Sequence, residues 1–327
     1  MSSAAWLTRR SALGLAAALA RPALAQPGRG TSRIIVGFPP GGSADTTARL
    51  VAERLRGSYA PNVIIENRAG AAGRLAVEAV KAADPDGTTI LLTPASMLTI
   101  FPHLYQRSLR YNPFTDLIAV SPAGEFPFGM GVGPLARQAA SLTAFIAWGR
   151  GRAEIPYGSA AAGSVPHFMG VQFARAAGLV MTHIPYRGSA PAIQDLIAGR
   201  TACSFHPMVD LAPHAAGGQV VLAAVSSPQR LPHFPEVPTF AEQGFPQLTG
   251  SEWFGLFLPA RTPQPVVEAL NRAMAEASAT PDYQEALARL EMRPLPMSPG
   301  DFAARLRADH AKWGPIIAES GFKPEEG

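Results

Sequence analysis

The sequence predicts an α/β protein of two domains, each a parallel-rich sheet flanked by helices. Two observations carry this. Apolar runs of strand length alternate with helix-like segments along most of the chain, the pattern of successive βαβ units. About 300 of the 327 residues remain once an N-terminal leader is set aside, more than one hydrophobic core comfortably serves.

Taken in order, Arg33–Phe38 reads as a strand, Ala44–Arg56 as a helix and Asn62–Glu66 as a strand. Leu75–Ala83 then reads as a helix and Thr89–Thr93 as a strand, and Leu117–Val120 closes this first set. A second set begins with a strand near Phe128–Gly133 and a helix near Leu142–Gly149. It continues through Ile155–Gly158, Val165–Ala177, Met181–Pro185, Pro191–Ala198, Ala202–Phe205 and Val220–Val225. A proline-rich stretch from Pro228 to Pro246 leads to an apolar run, Trp253–Pro259, and to three helical segments, Pro265–Ala277, Pro281–Leu290 and Pro299–Ser320. Proline opens each of the three, where its missing N–H costs nothing.

Residues 1–25 read as an export signal. Arg9 and Arg10 precede an alanine-rich apolar stretch, Ala12 to Ala20, and Ala23-Leu24-Ala25 is a small-x-small cleavage site before Gln26. Thr8-Arg9-Arg10 leaves twin-arginine export open beside ordinary secretion. The stretch is too short to span a bilayer, and no later segment approaches ~20 uninterrupted apolar residues, so no membrane insertion of the mature chain is expected. The 28 basic and 24 acidic residues become 25 and 24 without Arg9, Arg10 and Arg21. No basic stripe remains for nucleic acid. Cys203 is alone, which rules out an internal disulfide, and its apolar strand setting reads as packing. The seven histidines form no H-E-x-x-H or comparable cluster, so neither metal nor cofactor is expected, and the chain is expected to be a monomer.

Three strand–loop–helix corners carry the chemistry. In the first, Arg33–Gly37 stops at Phe38-Pro39-Pro40-Gly41-Gly42-Ser43-Ala44-Asp45, and a helix follows at once. The prolines stiffen the bend, the glycines expose backbone N–H groups, and Ser43 or Asp45 is placed to cap the helix. Such a helix start attracts anions. The corner lacks both the Gly-Lys-Ser/Thr of a P-loop and the G-x-G-x-x-G of a dinucleotide fold, which leaves small carboxylates, or no ligand at all. The second corner runs from Ser159 through Gly163, Ser164 and Val165 to His167, with Ser164 as N-cap. In the third, Tyr186-Arg187-Gly188-Ser189-Ala190-Pro191 opens another helix. Arg187 is placed to pair with a carboxylate or to remain solvated. Ser96, after the third strand, joins these candidates.

Six stretches, IIVGFPPGGSADTTARLVAERL, VIIENRAGAAG, AADPDGTTILL, THIPYRGSAPAIQDLIAG, PEVPTFAEQGFP and WFGLFLPARTP, resemble the periplasmic substrate-binding proteins of tripartite tricarboxylate transporters, the Bug family. The similarity runs from about Arg33 to the C-terminus. It implies a two-domain Venus-flytrap fold, with residues 26–122 and 230–327 in one domain and 123–229 in the other. It also implies a small carboxylate trapped in the interdomain cleft and membrane transporter subunits as partners. Gly163, Ser164 and His167 retain the family's Gly-Ser-x-x-His ending, while Ala161 replaces a frequent glycine. His206 stands where the family often places an acid. That loss weakens the case for an amino acid ligand, and a histidine there either favours a second negative charge or has no ligand role. Two other functions compete. A secreted hydrolase would draw on Ser164 or Ser159, His167 or His183, and Asp195, although no G-x-S-x-G elbow occurs. A receptor serving a sensor kinase is the third.

Overall fold

The computed structural model describes residues 30–139 and 141–324, so the expected export signal lies outside the described residues. The first strand, β1 (Thr31–Val36), pairs in parallel with β2 (Asn62–Asn67) and β3 (Thr89–Pro94). Helices α1 (Ser43–Leu55) and α2 (Arg74–Lys81) make the crossovers. Helix α1 buries Ala44, Ala48, Val51, Ala52 and Leu55, the stripe that a 3.6-residue period turns to one side. Two single-turn helices, α3 (Ser96–Thr99) and α4 (Phe101–Leu104), follow β3.

Strand β4 (Leu117–Val132) joins the two halves of the molecule. The sequence suggests two short strands here, separated by residues 121–127, and the structure corrects this to one strand of 16 residues. Register shifts between Ala119 and Ser121 and between Pro122 and Gly124 absorb the proline, which cannot donate to a regular ladder.

Beyond β4 come α5 (Leu142–Gly149), β5 (Ile155–Ser159), α6 (Val165–Ala177), β6 (Met181–Pro185) and α7 (Ser189–Ile197). Then follow β7 (Cys203–Pro207), α8 (Met208–Ala216) and β8 (Val221–Val225). Strand β5 is parallel to β6 and β7, whereas β4 is antiparallel to β7 and β8. The chain then returns to the first half. Strand β9 (Ser251–Pro259) inserts between β3 and β4, antiparallel to both. Helices α9 (Gln264–Ala279), α10 (Pro281–Arg289) and α11 (Pro299–Ser320) complete the chain, each with proline at its first or second position. The continuous path is β2-β1-β3-β9-β4-β7-β5-β6, with β8 beside β4. Parallel pairing holds at both outer ends, and antiparallel pairing occurs where the chain crosses and returns.

A candidate ligand cleft between three helix starts

The first corner closes on itself through Asp45. Gly41 has φ +90°, a conformation that favours glycine, and its N–H donates to Asp45 Oδ2 at 3.1 Å. Arg49 Nε, at 2.9 Å, and Asn67 Nδ2, at 3.0 Å, bind the same carboxylate. Burial raises the Asp45 pKa, but the hydrogen bonds from Arg49, Gly41 and Asn67 outweigh it and hold the carboxyl below its ordinary value. Asp45 thus shapes the bend. Gly42, at φ −90°, is the N-cap of α1 and has no side chain with which to cap it.

The second corner positions α6. Ser164 is its N-cap residue, as expected, but the hydroxyl does not cap: it donates to the Ala161 carbonyl at 2.7 Å. The Val165 N–H donates instead to Ser96 Oγ, 3.1 Å away on the other side of the cleft. Ser96 in turn donates through both N–H and Oγ to Glu252 Oε1, each at 2.6 Å. Glu252 is buried, and burial raises its carboxyl to about 7, with the Ser96 bonds pulling it down and Asp309 pushing it up. In the third corner Gly188, at φ +114°, leads into α7, and a Cβ there would lie 3.2 Å from Pro39 Cδ of the first corner. The two corners touch.

These elements surround a cavity enclosing about 600 Å³, counting its mouth. Phe38, Gly42, Ser43, Ser96, Ser164, Gly188, Ser189 and Ala190 line it, joined by Glu252, Phe126, Phe128 and Phe254, which sequence reasoning missed. The missed acid had one local signal, a lone glutamate opening an otherwise apolar strand. Asp210, in the first turn of α8, faces Ser189 and Ser43. Burial pushes its carboxyl up to about 6 against those donors, and its Oδ2 is sealed from solvent without a well-formed hydrogen bond.

The other expected site residues lie off this wall. Pro40, Gly41 and Asp45 form the bend behind it. Arg187 is exposed and lines an adjoining cavity with Gly73 and Tyr186. His206 is fully buried on β7, its Nε2 2.5 Å from Ser204 Oγ, and burial lowers its pKa to about 3. It is therefore neutral and supplies no charge for a second anionic group.

The hydrolase candidates do not assemble into a triad. His167 Nδ1 accepts from the Gly163 N–H at 3.0 Å, which locks the Gly163–Ser164 turn, and Ser164 Oγ bonds elsewhere. Ser159 Oγ and His183 Nε2 are 2.7 Å apart, but Ser159 is fully buried and Asp195 bonds Tyr186 and Arg200 instead. His183 stacks on His167 at 4.0 Å, and burial lowers them to about 3 and about 4. Among the described residues no group of three or more side chains could hold a metal, and no helix is long and apolar enough to cross a membrane.

Comparison with known proteins adds independent findings. Residues 47–322 match the family described as the tripartite tricarboxylate transporter family receptor. Protein BugT of Bordetella pertussis (strain Tohama I) is 33% identical over 292 residues, 89% of each chain. An R. palustris protein solved with adipate is 28% identical, with a TM-score of 0.86 over 90% of this chain and 99% of that one. MatC from Rhodopseudomonas palustris, solved with bound malate, is 27% identical, with a TM-score of 0.81 over 88% of this chain and 98% of that one.

Proposed function

The chain belongs to the tripartite tricarboxylate transporter receptor family, whose members are solute-binding receptors, and on that premise we propose that it captures a small carboxylate in this cleft and delivers it to a tripartite membrane transporter. Its fold is the two-domain α/β flytrap of periplasmic binding proteins. The domains we assign are residues 26–122 with 230–327, and 123–229. The mature chain begins at Gln26 and works in the periplasm.

One observation carries the reading. The starts of α1, α6 and α7 converge on a single cavity whose walls are apolar and aromatic, with serine hydroxyls at each start. A helix start offers unpaired N–H groups and the positive dipole end, so each favours a carboxylate by roughly 0.3–1 kcal/mol. Charged hydrogen bonds add about 1.5–3 kcal/mol each. Two helix starts and several such bonds reach the ~8 kcal/mol of micromolar binding without an arginine clamp. That adipate and malate occupy related proteins supports the same ligand class here.

Calorimetry tests the proposal. Small carboxylic acids should bind, and the methyl ester or amide of a binding acid should lose at least ~tenfold in affinity, because the dipole ends select charge. Equal affinity for acid and ester would count against it. Incubation with an ester panel should show no turnover, since Ser159 is fully buried and its partner His183 has no orienting acid.

A further inference from the structure

Among the described residues, Glu252 is the cavity lining's one ionisable side chain, and no lysine, arginine or histidine stands on the wall to balance it. Asp210, facing Ser43 and Ser189, adds a second carboxyl beside the cleft. Strand alternation sets Glu252 and Phe254 toward the cavity, while Trp253, between them, points away and donates to Asp309 at 2.8 Å. Ser96 occupies Oε1 of Glu252 twice, which leaves Oε2 without a partner from the described residues. The Ser96 network also ties this carboxyl to the start of α6 across the cleft, so its position is fixed before a ligand arrives.

A buried acceptor with one free oxygen asks its ligand for a donor. A dicarboxylate entering this cleft places two further negative charges among carboxyls with no cation on the wall, and like charges in a low-dielectric site repel strongly. An ammonium on the ligand reverses that balance. It also draws Glu252 toward its ionised form, against the burial that holds its pKa near 7.

We propose that Glu252 is the specificity-determining residue of the cleft and that it selects a carboxylate bearing an amino group over a dicarboxylate of the same length. This rests on the carboxylate reading above. It also restores an amino acid ligand, with the acid supplied by β9 in place of the position held by His206.

The test is a matched panel: β-alanine, γ-aminobutyrate and ε-aminocaproate against malonate, succinate and adipate, measured by calorimetry on the wild type and on Glu252→Gln. At least one amino acid should bind the wild type about tenfold or more tighter than its dicarboxylate. In Glu252→Gln that ratio should collapse, with the dicarboxylate gaining affinity. A merely structural role would weaken both classes together. Dicarboxylates that bind the wild type as tightly as the amino acids, or a preference that survives Glu252→Gln, would overturn the assignment while leaving a carboxylate receptor intact. Binding of neither class would overturn both. The wild-type ratio stands by itself should the variant fail to fold.

Discussion

Gly41 and Gly42 are neighbours with different requirements. Gly41 sits at φ +90°, so Gly41→Ala should cost about 1 kcal/mol or more in stability through backbone strain alone. Gly42 has an ordinary extended conformation, nothing lies within 4 Å of a Cβ built on it, and it lines the cavity. Gly42→Val should therefore keep its denaturant midpoint near the wild type while losing ~tenfold or more in carboxylate affinity, about 1.4 kcal/mol, because the side chain covers the start of α1. Normal ligand-induced stabilisation in Gly42→Val would remove the first corner from the site. The serines divide in the same way. Ser164 holds its own loop through the Ala161 carbonyl, whereas Ser96 links Glu252 to Val165 across the cleft. Ser96→Ala should accordingly weaken ligand binding more than Ser164→Ala does, and titration calorimetry on the two variants compares them directly.

Helix α6 shows how an element is placed by one missing side chain. A Cβ at Gly170 would lie 2.1 Å from the ring of Tyr157 on β5, and that ring is 1% exposed, with its hydroxyl bound to the His167 carbonyl at 3.2 Å. Alanine is the better helix former by about 1 kcal/mol, but overpacking a filled core costs about 1–3 kcal/mol. Because Tyr157 has nowhere to move, the clash should win, and Gly170→Ala should lower the denaturant midpoint. A rise would mean that propensity governs this helix. The start of α6 carries Ser164 and Val165, so the same variant should also reduce carboxylate affinity.

At the scale of the whole molecule, buried titrating groups shape the pH dependence of stability. His167, His183 and His206 are held neutral by burial, at about 4, 3 and 3, while the unfolded chain protonates them near 6.5. Their contribution is complete above about pH 6.5 and is lost as pH falls toward 3. Glu252 and Asp210 act oppositely. Their folded pKa values of about 7 and 6 exceed the unfolded ones, so their contribution is complete below about pH 4 and is lost as pH rises through 6 and 7. Between about pH 4.5 and 6 the three histidines outweigh the two acids by about one proton, so stability rises by ~1.4 kcal/mol per pH unit, and the opposed slopes cancel above about pH 7. Stability should therefore rise through the acid range and level off near pH 7. Denaturant midpoints from pH 4 to 8 check the shape, and a rise of nearly three protons between pH 4.5 and 6 would contradict the buried-acid assignment. In Glu252→Gln the rise between pH 5 and 7 should steepen.

Most strands and the longer helices, the three corners and the proline-opened C-terminal helices were legible in the sequence, because each depends on chemistry within a few residues; α3, α4, α8 and the continuity of β4 were not. A proline without an N–H, a glycine at positive φ and an apolar stripe at helical spacing act locally wherever they occur. Cys203 likewise reads correctly from its apolar neighbours, and it is fully buried. What the tertiary structure alone decided is how those corners are joined. Ser96 and Glu252 meet across 156 residues, and the partner of the Val165 N–H is 69 residues away. No periodicity reports the insertion of β9 between β3 and β4, which turns Glu252 into the cleft. Nor does composition separate Asp45, bound by Arg49 and Asn67, from Asp210, which burial leaves short of hydrogen bonds. The charge of the site is therefore a property of strand order and burial, since the free energy of an ionised side chain depends on the groups that surround it in space.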